Sequence, residues 1–260
     1  MLDREIVEAI GATLFDSLHA KKTITPLTTS YPDISVDDAY AISKVFLAHR
    51  LRAGEQVVGK KIGVTSPAVQ EMLGVYQPDF GFLTDAMWVK DGLIDTSALI
   101  APRAEAEIAF RLKDSLKGPG VTPQDVLNAT ESVIACFEIV DSRIDNWDIK
   151  IADTVADNAS CGVFAMSDDE VDPAGLDLSR LKVVVTKNGE YLSEGLGSAV
   201  QGAPENAVAW LANTLGEYGI PFHAGEIVLS GSLVPLAPAV AGDHFYMQIE
   251  GLGSAEVTFR

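Results

Sequence analysis

The stretch Pro102-Arg-Ala-Glu105-Ala-Glu107-Ile-Ala-Phe110 sets two carboxylates two residues apart in an otherwise apolar, strand-like run. Side chains at i and i+2 of a β-strand share a face, so Glu105 and Glu107 project side by side while Ala106 and Ile108 face the other way. Like charges that close repel unless something positive stands between them. A hard divalent cation with oxygen ligands answers that need. A third carboxylate, Glu138, lies in a second apolar run, Val133-Ile-Ala-Cys-Phe-Glu-Ile-Val140. An all-carboxylate trio suits Mg²⁺ or Mn²⁺ rather than zinc. The plainer alternative is that Glu-x-Glu marks the wet face of an amphipathic strand.

Outward from this pair, the pattern predicts helices first and strands later. Ile6, Ile10, Leu14 and Leu18 recur at helical spacing between Asp3 and Lys21. Ser35-Val-Asp-Asp38 is a capping signal that opens a second helix, stopped by Gly54. Val57 to Val64 reads as a strand bracketed by Gly59 and Gly63, which suggests close backbone approach or a bend. Ser66-Pro67 starts a helix that ends near Leu73-Gly74, and Gln77-Pro-Asp79-Phe-Gly81 reads as a loop. Leu99–Leu112 and Ser132–Ser142 are the acidic strands, with a helix over Thr122–Asn128 between them. Lys187-Asn-Gly-Glu190 is a hairpin turn, and Pro204–Leu215 a helix capped by Gly216. Strands follow at Glu226–Ser230, His244–Glu250 and Ser254–Phe259. The fold class expected is α+β, one structural domain overall, with a helical segment over 1–56 packed on a β-rich core over 57–260.

Composition narrows the function classes. The 260-residue chain is 47% apolar and carries a formal charge of −18, so a substantial core is expected and nucleic acid and anionic membranes are poor partners. No apolar run is long enough to span a bilayer, and the N-terminus has no apolar signal region; a cytoplasmic location is expected. Cys136 and Cys161 read as buried free thiols, and the four histidines fall in no ligand or triad pattern.

Several further residues could carry chemistry. Lys60 and Lys61 are strand neighbours, so only one can point into a site; the other is expected as a snorkelling surface lysine. Asp79 either stabilises a turn or enters a site. Arg143 could simply pair with Asp141. Asp157-Asn-Ala-Ser-Cys-Gly162 is either a capped turn or a loop wrapped around a ligand.

Taken together and in order, these stretches resemble the 2-keto-4-pentenoate hydratase and 4-oxalocrotonate decarboxylase family of the fumarylacetoacetate hydrolase-like superfamily. The resemblance rests on Gly59-Lys-Lys61-Ile-Gly63-Val-Thr-Ser66, Gln77-Pro-Asp-Phe-Gly81, Pro102 to Ala109, Glu138-Ile-Val-Asp-Ser-Arg143, Val155 to Gly162 and Gly251-Leu-Gly-Ser254. It runs from about residue 24 to the C-terminus. It implies a fumarylacetoacetate hydrolase C-terminal-like fold of mixed sheets. It implies a Mg²⁺ or Mn²⁺ site of Glu105, Glu107 and Glu138, an active site lined by Lys61 and Asp79, and Ser160 near the substrate. It also implies a homo-oligomer, commonly ring-like, a pentamer or decamer. Within the family the motifs look like the hydratases that act on 2-hydroxypenta-2,4-dienoate in aromatic meta-cleavage, giving 4-hydroxy-2-oxopentanoate. On this reading Lys61, its pKa lowered by low-dielectric surroundings, stabilises an enolate or shuttles a proton, and Asp79 orients or deprotonates water; the two roles could be exchanged.

Two enzymatic alternatives stand beside it: a sibling decarboxylase, or a hydratase for a substituted dienoate. A diacid substrate would need a further cation for its distal carboxylate, which the fold could supply from Arg103 or Arg143. A carbon–carbon hydrolase fits less well, because His19 and His49 both fall in helices. A non-catalytic stabilising subunit would have no reason to hold three close carboxylates.

Overall fold

The computed structural model describes residues 1–260, the side chains of Ala68, Met72 and Leu73 excepted. Three helices lead the chain: α1 (Arg4–Ala20), α2 (Leu27–Ser30) and α3 (Val36–Arg52). Ser35 caps α3 as the sequence predicts, accepting the Asp38 N–H while the Asp38 carboxylate takes the Ser35 N–H. The rest alternates: β1 (Val57–Gly63), α4 (Pro67–Leu73), β2 (Asp79–Thr84), β3 (Leu93–Ile94), β4 (Arg103–Leu112), α5 (Pro123–Ala129), β5 (Thr130–Val140), α6 (Ile151–Ala156), β6 (Cys161–Met166), β7 (Lys182–Lys187), β8 (Glu190–Leu196), α7 (Pro204–Glu217), β9 (Ile227–Leu229), β10 (Ala237–Pro238), β11 (His244–Ile249) and β12 (Gly253–Phe259). The class is α+β as expected, with two mixed sheets and helices at the N-terminus.

Two expectations are corrected. Gln77–Gly81 is not all loop: turn chemistry ends at Pro78, and Asp79 begins β2, whose Phe80-Gly-Phe-Leu run pairs antiparallel with β1. Gly216 does not stop α7, which runs through it. A β-carbon there would meet the Gly118 backbone at 2.5 Å, so this glycine serves a close approach rather than a cap.

The larger sheet has the order β2-β1-β9-β4-β5-β6, with β10 also paired to β4. It curls until its ends meet. The segment after β2 returns to β6, where the Val89 N–H donates to Phe164 O at 2.9 Å. The smaller sheet, β3-β12-β11-β7-β8, packs outside this near-barrel; Phe137 of β5 meets Phe245 of β11 edge-on at 6.3 Å. Strands β4 and β5 are thus covered on both faces. Ala104, Ala106, Ile108 and Phe110 join the main core, while Ala109, Ile134 and Cys136 join a separate interior cluster with Leu83, Met87 and Leu229. The second face is the one that carries Glu105, Glu107 and Glu138 by strand alternation.

Candidate metal centre and its surroundings

Register builds the acidic cluster. In the β4–β5 ladder Glu105 stands opposite Glu138 and Glu107 opposite Cys136. One carboxylate oxygen from each of Glu105, Glu107 and Glu138 lies within 4.8 Å of the others. Glu107 and Glu138 are 0% exposed and Glu105 only 6%, so the wet-face alternative fails. The Glu107 Oε2 atom accepts the Gly231 N–H at 2.8 Å, but Glu107 Oε1 and both Glu138 oxygens have no hydrogen-bond donor. Burial is the largest cause that raises all three pKa values. The Glu138 charge adds to it at Glu105, pushed up to about 8, and at Glu107. Undonated buried carboxylate oxygens converging on one point are the donor set a hard divalent cation requires.

The lysine pair divides by alternation. Lys61 turns into the cluster, where its Nζ donates to Ala159 O at 3.0 Å and lies 3.2 Å from Glu138 Oε1, an ion pair not aligned as a hydrogen bond. Lys60 faces the other way to Glu226, under the Phe222 ring. Both lysines are 2% exposed, so the expected surface lysine is instead a second buried ion pair. The expected fall in the Lys61 pKa is also reversed. Burial lowers it, but Glu138, Asp79 and Glu105 together outweigh burial and raise it. Low dielectric strengthens attraction to those carboxylates as well as the desolvation penalty.

Asp79 enters beside Lys61 because β2 pairs Asp79 with Gly63. A β-carbon at Gly63 would lie 2.2 Å from Asp79 Oδ1, so only glycine leaves room for this carboxylate. Asp79 Oδ2 accepts the Thr154 hydroxyl at 3.1 Å, Oδ1 has no donor, and burial raises the group's pKa against the lowering effect of Lys61. Thr154 also meets Ser160 Oγ at 3.3 Å. Sequence reading missed Thr154, which arrives on α6, a helix too short to show a period.

The turn Asn158-Ala-Ser160 holds this side of the site in left-handed backbone, with φ of 55°, 51° and 51°. Non-glycine residues adopt that region at a cost, which the surroundings must offset. The Asn158 side chain acts as a strand partner for Phe82, accepting its N–H at 2.8 Å and donating to its carbonyl at 3.0 Å. Arg143 does not pair with the Asp141 carboxylate. Its guanidinium meets Asp157 Oδ1 at 2.5 Å and donates to the carbonyls of Asp141, Cys161 and Asp157. The Asp141 carboxylate instead takes the N–H groups of Ile100 and Ala101. Arg143 is fully buried and fully engaged, so it is not free to meet a substrate. Cys136 and Cys161 are buried free thiols, both held high by burial and neighbouring carboxylates. His19 and His49 pack on Phe15, away from the cluster.

A narrow cavity, with an interior of roughly 20 Å³, opens onto the cluster. Lys61, Asp79, Glu105, Thr154 and Ser160 line its polar side; Val64, Val69, Val140, Trp147, Ile149 and Leu236 line the rest. Among the described residues no helix is long and apolar enough to cross a membrane.

The model of the fumarylacetoacetate (FAA) hydrolase C-terminal family matches residues 85–260. The chain is 58% identical over 262 residues to a 2-hydroxyhexa-2,4-dienoate hydratase of Comamonas testosteroni, covering 100% of this chain and 99% of that one. It is 45% identical over 253 residues to a 2-keto-4-pentenoate hydratase of Paraburkholderia xenovorans, covering 97% and 94%. Among solved structures it matches 4-oxalocrotonate decarboxylase from Pseudomonas putida G7, complexed with magnesium and adipate, at a TM-score of 0.95 and 36% identity, covering 100% of this chain and 99% of that one.

Proposed function

From a chain that belongs to the 2-keto-4-pentenoate hydratase and 4-oxalocrotonate decarboxylase family, within the fumarylacetoacetate hydrolase-like superfamily, we infer a divalent-metal-dependent hydro-lyase. It adds water to 2-hydroxypenta-2,4-dienoate or a close homologue, giving the 4-hydroxy-2-oxo acid. The observation that carries this reading is the buried trio of Glu105, Glu107 and Glu138, with undonated oxygens beside Lys61. Mg²⁺ or Mn²⁺ held by that trio supplies Lewis acidity toward the oxygens of a 2-oxo acid.

The chain's own residues then divide the proton work. The dienol loses its hydroxyl proton and gains one at C5, which leaves an α,β-unsaturated 2-oxo acid. Water adds its hydroxyl at C4 and its proton at C3, for a net gain of one water. Lys61 keeps its proton among three carboxylates and offsets negative charge growing at the substrate's C2 oxygen. Asp79, with one undonated oxygen and a raised pKa, takes and returns the proton. Thr154 fixes the Asp79 carboxylate, and Ser160 presents a hydroxyl on the same side of the cavity.

The sibling decarboxylation remains the second reading, because the solved relative at a TM-score of 0.95 is a decarboxylase. The 58% identity to a hydratase, against 36% to that decarboxylase, favours water addition. The deciding assay follows loss of dienol absorbance with and without Mg²⁺, identifies the product, and measures CO₂. A 4-hydroxy-2-oxo acid without CO₂ is expected; CO₂ release from a diacid with no hydration would assign the chain to the sibling reaction.

A further inference from the structure

The barrel interior is layered along β4 and β5. One layer holds Glu107 and Cys136, the next Glu105 and Glu138, and the next Arg103 and Val140. Successive layers on one face are two residues apart, roughly 6.6 Å. A substrate whose carboxylate end sits at the acidic layer therefore sends its other end through the Arg103–Val140 layer. That layer is closed by a small apolar cluster, Val69, Val140 and Leu236 with Trp147 packed against it. These four side chains come from four separate segments, and all four line the cavity.

Arg103 shares this layer but is not among the residues that line the cavity. Its guanidinium lies 4.3 Å from the centroid of the Trp147 ring. Trp147 is anchored, its indole N–H donating to Ala101 O at 2.9 Å, on a left-handed backbone of φ 57°. Among the described residues no carboxylate pairs with Arg103 and no hydrogen bond engages its guanidinium; burial alone acts on it, lowering its pKa. Lys61 is the one cation that lines the cavity among the described residues, and it is committed to Glu138 and Ala159.

We propose that this collar is a chain-end filter with Trp147 as its deciding residue. It admits dienoates that end in hydrogen or a short alkyl group and rejects those that end in a second carboxylate. The indole covers Arg103, the cation that shares this layer. An ionised carboxylate forced among Val69, Val140 and Leu236 loses its water and gains no partner. An alkyl end gains apolar contact there. The proposal rests on the reading of the site as one that binds 2-oxo acids, and it deepens that reading to the substrate's far end.

The test uses two saturated 2-oxo acids of equal length, 2-oxohexanoate and 2-oxoadipate, which have no double bond to hydrate. Their binding to the Mg²⁺-loaded protein is measured by calorimetry, and dienol hydration is assayed separately. The wild-type protein is expected to prefer 2-oxohexanoate by at least about tenfold. Trp147→Gly, which suits the left-handed backbone, uncovers Arg103 and should shrink that preference by about tenfold. Adding Arg103→Gln to it should restore the preference. Arg103→Gln alone, on an intact collar, should leave the ratio unchanged. Equal wild-type affinities, a ratio indifferent to Trp147→Gly, or a ratio moved by Arg103→Gln alone would each overturn the filter. A protein that discriminates the two acids but hydrates no dienol would sink the hydratase reading and leave the filter standing; one that hydrates without discriminating would do the reverse.

Discussion

Glu105 and Glu138 are direct cross-strand partners, so two buried carboxylates face each other inside the barrel. Like charges directly opposite destabilise a sheet, and here burial removes the water that would soften the repulsion. The metal-free fold answers by holding protons: Glu105 is pushed up to about 8, with burial the larger cause and Glu138 the next. On the proposed reading, the cluster exchanges stability for the capacity to bind a cation.

Metal binding should therefore appear as thermal protection. With Mg²⁺ at a hundred times its Kd the gain is about 2.7 kcal/mol, or roughly 5–11 °C in the unfolding midpoint of a chain this size. Glu107→Gln keeps an acceptor for the Gly231 N–H but removes one anionic ligand. Differential scanning calorimetry should show the protection lost in this variant, and hydration lost with it. A variant protected as well as wild type would remove Glu107 from the metal site.

The pH dependence follows from the same protons. The folded value of Glu105, about 8, stands above the ordinary 4.5, so the metal-free fold keeps a proton that the unfolded chain releases. The stability from that proton is complete below about 4.5 and is lost progressively as pH rises to about 8. Mg²⁺ displaces the proton, so its affinity should climb over the same window and level off above it. Chemical denaturation with EDTA and with Mg²⁺, at pH 5.5, 7 and 8.5, should show the two stability curves separating as pH rises; parallel curves would mean the carboxylates are already ionised without metal.

Lys61 and Asp79 should separate in kinetics. Lys61→Ala removes the cation that faces Glu138 and should lower kcat by roughly 10²–10⁴-fold. Asp79→Asn keeps the Thr154 hydrogen bond but cannot carry a proton, so kcat should fall and the pH–rate profile should lose one limb. Turnover that survives Lys61→Ala would exclude a catalytic role for that residue.

Arg143 should prove structural in origin and local in effect. Arg143→Met leaves Asp157 charged and unpaired in the interior, a loss of about 3–5 kcal/mol. Arg143→Lys should recover only part of it, because an ammonium cannot reach the carboxylate and three carbonyls in the guanidinium's planar geometry. Denaturant titration of the three proteins orders them; a lysine variant as stable as wild type would mean charge alone matters there.

Sequence reading reached the secondary structure wherever a period or a turn residue marked it. The Asn188-Gly189 turn has φ of 56° and 81°, the positive values its residues call for, and joins β7 to β8. It failed at Asp79, where turn residues and strand residues abut and only pairing with β1 decides the boundary. It also missed Thr154 and Trp147, because a six-residue helix and an irregular loop carry no repeat to read.

The spacing of Glu105 and Glu107 by itself settled that the two share a strand face, since alternation is a property of the backbone alone. Local signals likewise settled the capped start of α3 and the hairpin after β7. What local sequence could not settle was whether that face is wet or dry, that Glu138 stands opposite Glu105, which lysine turns inward, or that Arg143 chooses Asp157 over Asp141. Those outcomes depend on register between strands distant in sequence and on closure of the barrel over both faces of β4. Burial then converts ordinary carboxylates into a site, because charge acquires its chemical force only where water has been removed.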